Sequence, residues 1–243
     1  MWTAALWGGV SGSAVLIGAL LAMWLRIPKR VIGFVMAFGT GVLIGAAAYE
    51  LLSDTAEEKG LAPTIIGFAA GAIVFTLFDA YISKKGGASR KRSGTARSEH
   101  AGAGLAIFAG TLLDAIPESI MIGSSLLTGE GVSFLLVIAI FLSNIPEGLS
   151  STAGLRQDGY SRAKIALLWL AVVVMSVLAS MFGYAFMHRA SDEVMGMIAS
   201  FAGGGIIAMV ASSMMPEAYE DGGPLTGLAA AAGLLVSLIL DKV

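Results

Sequence analysis

Two seven-residue stretches carry most of the chemistry available to this sequence. One reads Leu113-Asp114-Ala115-Ile116-Pro117-Glu118-Ser119 and the other Leu142-Ser143-Asn144-Ile145-Pro146-Glu147-Gly148. They are two copies of one pattern, with their glutamates twenty-nine residues apart. In each, an acidic or small polar residue stands four positions before the glutamate, so on a helix the two side chains share a face. Asn144, three before Glu147, shares much of it. The proline before each glutamate lacks a backbone N–H and presses its ring against the carbonyl four residues earlier, which frees the carbonyls of Leu113 and Leu142. Asp114, Glu118, Ser143, Asn144 and Glu147 thus place five side-chain oxygen donors beside two freed carbonyls. Three crowded carboxylates cannot all stay ionised without a counter-charge, and neither stretch contains Lys or Arg. A divalent cation, or protons, must supply it. The plainer alternative is that both prolines only kink their helices and the carboxylates are protonated hydrogen-bond partners, but duplication of the whole pattern weighs against it.

The elements that must position these residues are membrane helices. The 243 residues are 56% hydrophobic and 13% charged, with a mean hydropathy of +0.83, against about 25% charged in soluble domains. Apolar runs near the roughly 20 residues needed to cross a bilayer fall at 3–25, 31–52, 63–83, 103–124, 131–153, 163–187, 194–215 and 224–240. They are long and continuous instead of alternating, which predicts helices and not barrel strands. The fold class expected is therefore an all-α integral membrane protein with eight transmembrane helices. The pattern copies fall near the middle of helices four and five, where Pro117 and Pro146 bend them around a central site. The first run lacks a basic region before it and reads as a retained helix, not a cleaved signal peptide. Residues 1–243 read as one transmembrane domain, with a basic, flexible cytoplasmic loop at 84–101.

Twelve of the fifteen Lys and Arg residues fall in the loops after helices one, three and five, leaving Lys59, Arg189 and Lys242 on the other side. This bias puts the odd-numbered loops in the cytoplasm and both termini outside. A net charge of −2 argues against a nucleic-acid partner, and the lack of cysteine removes disulfides, thiolate metal sites and cysteine nucleophiles. With only His100 and His188 present, a metal site within the membrane must use oxygen ligands. Glu50, with Asp54, Glu57 and Glu58, reads either as an acidic funnel that concentrates cations or as a solvated helix end. Glu217, Glu220 and Asp221 make an acidic cytoplasmic turn after helix seven, bordering an exit if that helix lines one. Asp79 fits a helix-end role and His188 an interfacial one, while Met121, Met175 and Met214 suit packing.

The two patterns resemble the His-Asn-x-Pro-Glu-Gly motifs of the ZIP (Zrt-/Irt-like) metal transporters. The Gly39-Thr40-Gly41 and Gly203-Gly204-Gly205 segments and Pro216-Glu217-Ala218 are also similar to that family. The resemblance implies eight helices, external termini, a variable loop after helix three, a homodimer, and alternating access by one helix bundle moving against another. It implies a main metal site at Asp114, Glu118, Ser143 and Glu147, and an adjoining one keeping Glu118, Asn144 and Glu147 but losing a ligand at Ala115. Where the family has histidine, this chain has Asp114 and Ser143. An all-oxygen set suits Mn²⁺ or Mg²⁺, whereas imidazole suits zinc and iron; carboxylates also bind zinc.

The function expected is a transporter that admits divalent metal (zinc, manganese, iron or magnesium) to the cytoplasm across a plasma membrane such as the bacterial inner membrane. The metal is substrate, no organic cofactor is implied, and the lipid bilayer is the other partner. Metal bound by deprotonated ligands makes uptake pH-dependent. The alternative is a metal-binding sensor or scaffold of the same fold that moves nothing. An intramembrane enzyme is not expected: there is no His-Glu-x-x-His motif, and only one central aspartate where an aspartyl mechanism needs two.

Overall fold

The computed structural model describes residues 1–25, 27–84, 103–127 and 131–242; the predicted basic loop lies outside these residues from 85 onward, His100 included. Eight helices follow one another: α1 (Trp2–Trp24), α2 (Lys29–Lys59), α3 (Leu61–Lys84), α4 (Ala103–Ser125), α5 (Phe134–Gln157), α6 (Arg162–Met187), α7 (Asp192–Gly222) and α8 (Thr226–Asp241). No strand occurs among the described residues. Six of the helices (α1, α2, α3, α5, α6 and α7) are long and apolar enough to cross a membrane, and α8 is a shorter apolar helix of 16 residues. Serine side chains begin three of them. Ser133, Ser161 and Ser191 accept hydrogen bonds from the backbone N–H groups of Leu136, Lys164 and Val194, each satisfying one donor the first turn leaves open.

Helices α2 and α7 run well past the ends that hydropathy suggested, to 31 residues each. The apolar signal stops at Leu52 and Met215, but Ala, Glu and Lys are good helix formers and carry the backbone on. What ends each helix is glycine: Gly60 with φ +100° and Gly223 with φ +75°, a left-handed region that penalises any Cβ. Glu217, Glu220 and Asp221, expected in a turn, are therefore helical. Each long helix contains a π-helical segment, Tyr49–Asp54 in α2 and Val210–Met214 in α7, the kind of local widening often found at functional sites.

These parallels reflect a repeat. A shift of 163 residues lays α2 on α7 from Lys29 on Asp192 to Lys59 on Gly222, matching Gly33 with Gly196, Gly41 with Gly204, Asp54 with Glu217, Glu57 with Glu220 and Gly60 with Gly223. Packing follows the same pairing. α2 packs most heavily on α8 and α3 on α7, while α1 packs on α5 and α4 on α6, with α1 and α6 against each other. Helices α1, α4, α5 and α6 thus form one bundle and α2, α3, α7 and α8 another, joined chiefly where α2 crosses α5. Inverted repeats of this kind recur in transporter folds.

Small residues let the helices approach this closely, as expected where lipid offers no hydrophobic drive and contact itself must hold the bundle. A Cβ on Gly18 of α1 would collide with the carbonyl oxygen of Ile145 in α5, and one on Gly148 of α5 would collide with that of Val15 in α1. The two backbones are in contact on either side of Pro146.

Candidate metal centre

All five residues singled out by the pattern are buried: Asp114 is 6% exposed, Glu118 3%, Ser143 2%, Asn144 4% and Glu147 5%. An ionisable side chain so placed in a membrane helix costs roughly 2.5–3.5 kcal/mol on insertion scales and marks a functional position by default. Pro117 and Pro146 both lie inside uninterrupted helices. The Leu142 carbonyl left open by Pro146 faces α2 at Gly39, where an added Cβ would come within 3.0 Å of its oxygen. Irregular backbone bonding at membrane depth is tolerated only when covered by protein or water, and Gly39 permits such cover.

The motif helices meet through a side-chain bond. Thr111 Oγ1 of α4 donates to Glu147 Oε1 of α5 at 3.0 Å, with Thr111 2% exposed. This fixes the α5 glutamate toward the face of α4 that carries Asp114 and Glu118, since Thr111 stands three and seven positions before them. Ser143 donates to the Ile140 carbonyl at 3.0 Å, which leaves its oxygen lone pairs as acceptors. Among the described residues no three Asp, Glu or His side chains converge closely enough to hold an ion by themselves.

Two further serine–carboxylate bonds tie α5 to the other bundle. At one end Ser133 Oγ donates to Glu50 Oε1, within the π segment of α2. Toward the other, Ser150 Oγ donates to Glu217 Oε1, just beyond the π segment of α7. Glu217 is only 5% exposed, unlike its repeat mate Asp54, which is exposed. The structure therefore separates the acidic residues near the helix ends. Glu217 is buried one turn along α5 from the motif, while Glu57, Glu58 and Glu220 face outward. Asp79 is half-buried and His188 exposed. Met121 and Met214 lie in the apolar core, whereas Met175, 36% exposed, does not.

Sequence reasoning missed Thr111 and Ser150. Both lie about one turn from a motif acid, Thr111 before Asp114 and Ser150 after Glu147, but their residue types do not mark them until the neighbouring helices are in view. Gly39 was noticed as part of a glycine-rich segment without its partner, which only the packing reveals.

The fold and the site define a polytopic helical membrane protein with two Pro-Glu helices that carry buried oxygen-bearing side chains. The sequence profile of the ZIP zinc transporter family matches residues 83–241, and the chain belongs to that family, whose members are transporters and not enzymes. A zinc transporter of Canis lupus familiaris is 25% identical over 173 residues, covering 65% of this chain and 37% of that protein. A candidate zinc transporter of Arabidopsis thaliana is 24% identical over 242 residues, covering 97% of this chain and again 37% of the relative. The chain thus spans little more than a third of the length of these relatives.

Proposed function

We propose that this chain carries divalent metal cations across the plasma membrane into the cytoplasm, binding them at Asp114, Glu118, Ser143, Asn144 and Glu147. The observation that carries this reading is the burial of all five oxygen-bearing residues on α4 and α5, with no basic residue in either motif to neutralise the three carboxylates. A cation held here draws on the hydroxyl and amide oxygens of Ser143 and Asn144 as well as on carboxylates, because no three acidic side chains among the described residues close on one point. Zinc is the first candidate, from the printed names of the relatives. An all-oxygen set favours manganese or magnesium more than a histidine site would, while iron, like zinc, is the better match to imidazole.

Two features support alternating access. The bundles α1/α4/α5/α6 and α2/α3/α7/α8 pack internally and share few contacts besides α2 with α5. The carboxylates of the repeat, Asp54 and Glu217, stand in different environments, one exposed and one buried against Ser150. With Lys59 outside and the basic loops inside, Asp54 with Glu57 and Glu58 forms an outer cation-collecting rim and Ser150–Glu217 a closed inner end. The basic loop at 84–101, both termini outside, a homodimer and a bacterial inner-membrane setting complete the proposal.

The test is uptake into proteoliposomes, comparing Zn²⁺, Mn²⁺, Fe²⁺ and Mg²⁺, with Glu147→Ala as control. Saturable uptake lost in the variant, and accelerated by unlabelled metal preloaded on the far side, is the expected result. Metal bound by folded protein without any flux would overturn the transporter reading.

A further inference from the structure

We infer that Thr111 is the positioning residue of the metal site: its hydroxyl orients the Glu147 carboxylate so that one oxygen is held by α4 and the other is presented to the cation. This rests on the reading of Glu147 as a ligand. The supporting geometry is the 3.0 Å bond from Thr111 Oγ1 to Glu147 Oε1, between residues 2% and 5% exposed. Other hydroxyls in the chain show the common alternative. Thr40 donates to the Met36 carbonyl at 2.7 Å, Thr64 to that of Gly60 at 2.8 Å and Ser143 to that of Ile140 at 3.0 Å, each to a carbonyl three or four residues back along the chain as hydroxyls in helices tend to do. Thr111 donates to a carboxylate on the neighbouring helix.

The place of this bond gives it a task. Helices α4 and α5 pack mainly on α6 and α1 and only lightly on each other, so the seam between them, where ligands from both must meet one ion, gains little order from packing. A hydrogen bond across the seam fixes the α5 ligand relative to Asp114 and Glu118. Its chemistry suits a cation site. A neutral hydroxyl stabilises a carboxylate anion without adding a positive charge that would repel the metal, as Lys or Arg would. Outer partners of metal ligands act in this way, and their loss typically lowers affinity or activity about 10–100-fold. The assignment is also one-sided. Twenty-nine residues on, the position of α5 equivalent to Thr111 is Ile140, 1% exposed, so the second motif copy has no such donor. The hydroxyl that holds Glu147 from outside its own helix is therefore not part of the duplicated pattern.

The experiment measures concentration dependence of zinc and manganese uptake into proteoliposomes for the unaltered chain, Thr111→Val, Thr111→Ala, Thr111→Ser and Glu147→Gln. Thr111→Val keeps the side chain's shape without the hydroxyl, and Thr111→Ala removes the hydroxyl without demanding room if valine packs badly. The inference expects both to raise KM by about 10–100-fold, the range for losing a partner of a metal ligand, with maximal rate changed by less than about threefold, and expects Thr111→Ser to restore KM. An unchanged KM in Val and Ala variants that fold, or a fall in maximal rate alone that serine does not rescue, overturns it. Normal uptake by Glu147→Gln would instead overturn the underlying ligand reading, so the two failures are told apart.

Discussion

Glu118 and Glu147 differ from Glu57, Glu58 and Glu220 near the helix ends in being buried instead of facing outward. Burial to 3% and 5% exposure gives solvent no role in stabilising their charge. Replacing Asp114 with histidine, Asp114→His, puts an imidazole where the family pattern has one, and ligand preference then predicts a shift toward zinc over manganese of about tenfold in relative uptake. An unchanged ion order would mean that position 114 does not touch the metal. A separate residue-scale prediction concerns stability. Trp169, fully buried, donates through Nε1 to Thr152 Oγ1 at 2.8 Å. Thr152→Val leaves that N–H unsatisfied at a cost of about 1–3 kcal/mol, visible as a lower Tm while the ion order stays the same. The five ligand candidates stand out in the sequence because the whole pattern, polar residue, proline and glutamate, occurs twice in apolar runs; a single Pro-Glu pair would read equally well as a kink. Thr111 does not stand out, since a threonine three residues from an aspartate is unremarkable until the helix across the seam is in view.

Helices α2 and α7 show where hydropathy misleads. Polarity ended both early, whereas the backbone continues until a glycine adopts positive φ at Gly60 and Gly223. The repeat relating them went unseen because its marks are scattered glycines and acids 163 residues apart, within segments whose remaining residues are interchangeable apolar ones. The close contact of α1 with α5 yields a prediction of its own. Gly18→Leu drives a side chain into the Ile145 carbonyl beside Pro146, where a backbone must move and not a flexible tip. The cost exceeds the about 1–3 kcal/mol of ordinary overpacking, and the expected outcome is loss of monodisperse protein. Gly227→Leu, at a glycine with open space around it, leaves the yield unchanged by comparison.

At the scale of the molecule, two bundles of four helices meet chiefly at α2 and α5, and serine–carboxylate bonds link α5 to α2 near one end and to α7 near the other. Fold class and helix number followed from composition and run length, but the division into bundles did not, because hydropathy is blind to which apolar face meets which. The proposed orientation is open to a clean check, since the chain has no cysteine of its own. Single cysteines at Glu57→Cys and Arg162→Cys, both at exposed positions, should be labelled by an impermeant reagent from opposite sides of the membrane, the first from outside. Labelling of both from one side would contradict the topology. The central claim is that the buried carboxylates of α4 and α5 bind the ion that crosses. Its most direct test is the initial rate of zinc entry into proteoliposomes containing the chain or its Glu118→Gln and Glu147→Gln variants, which keep shape and remove charge. The account predicts saturable flux in the first and less than about a hundredth of it in either variant, the scale expected when a metal ligand itself is lost; undiminished flux in both would contradict it.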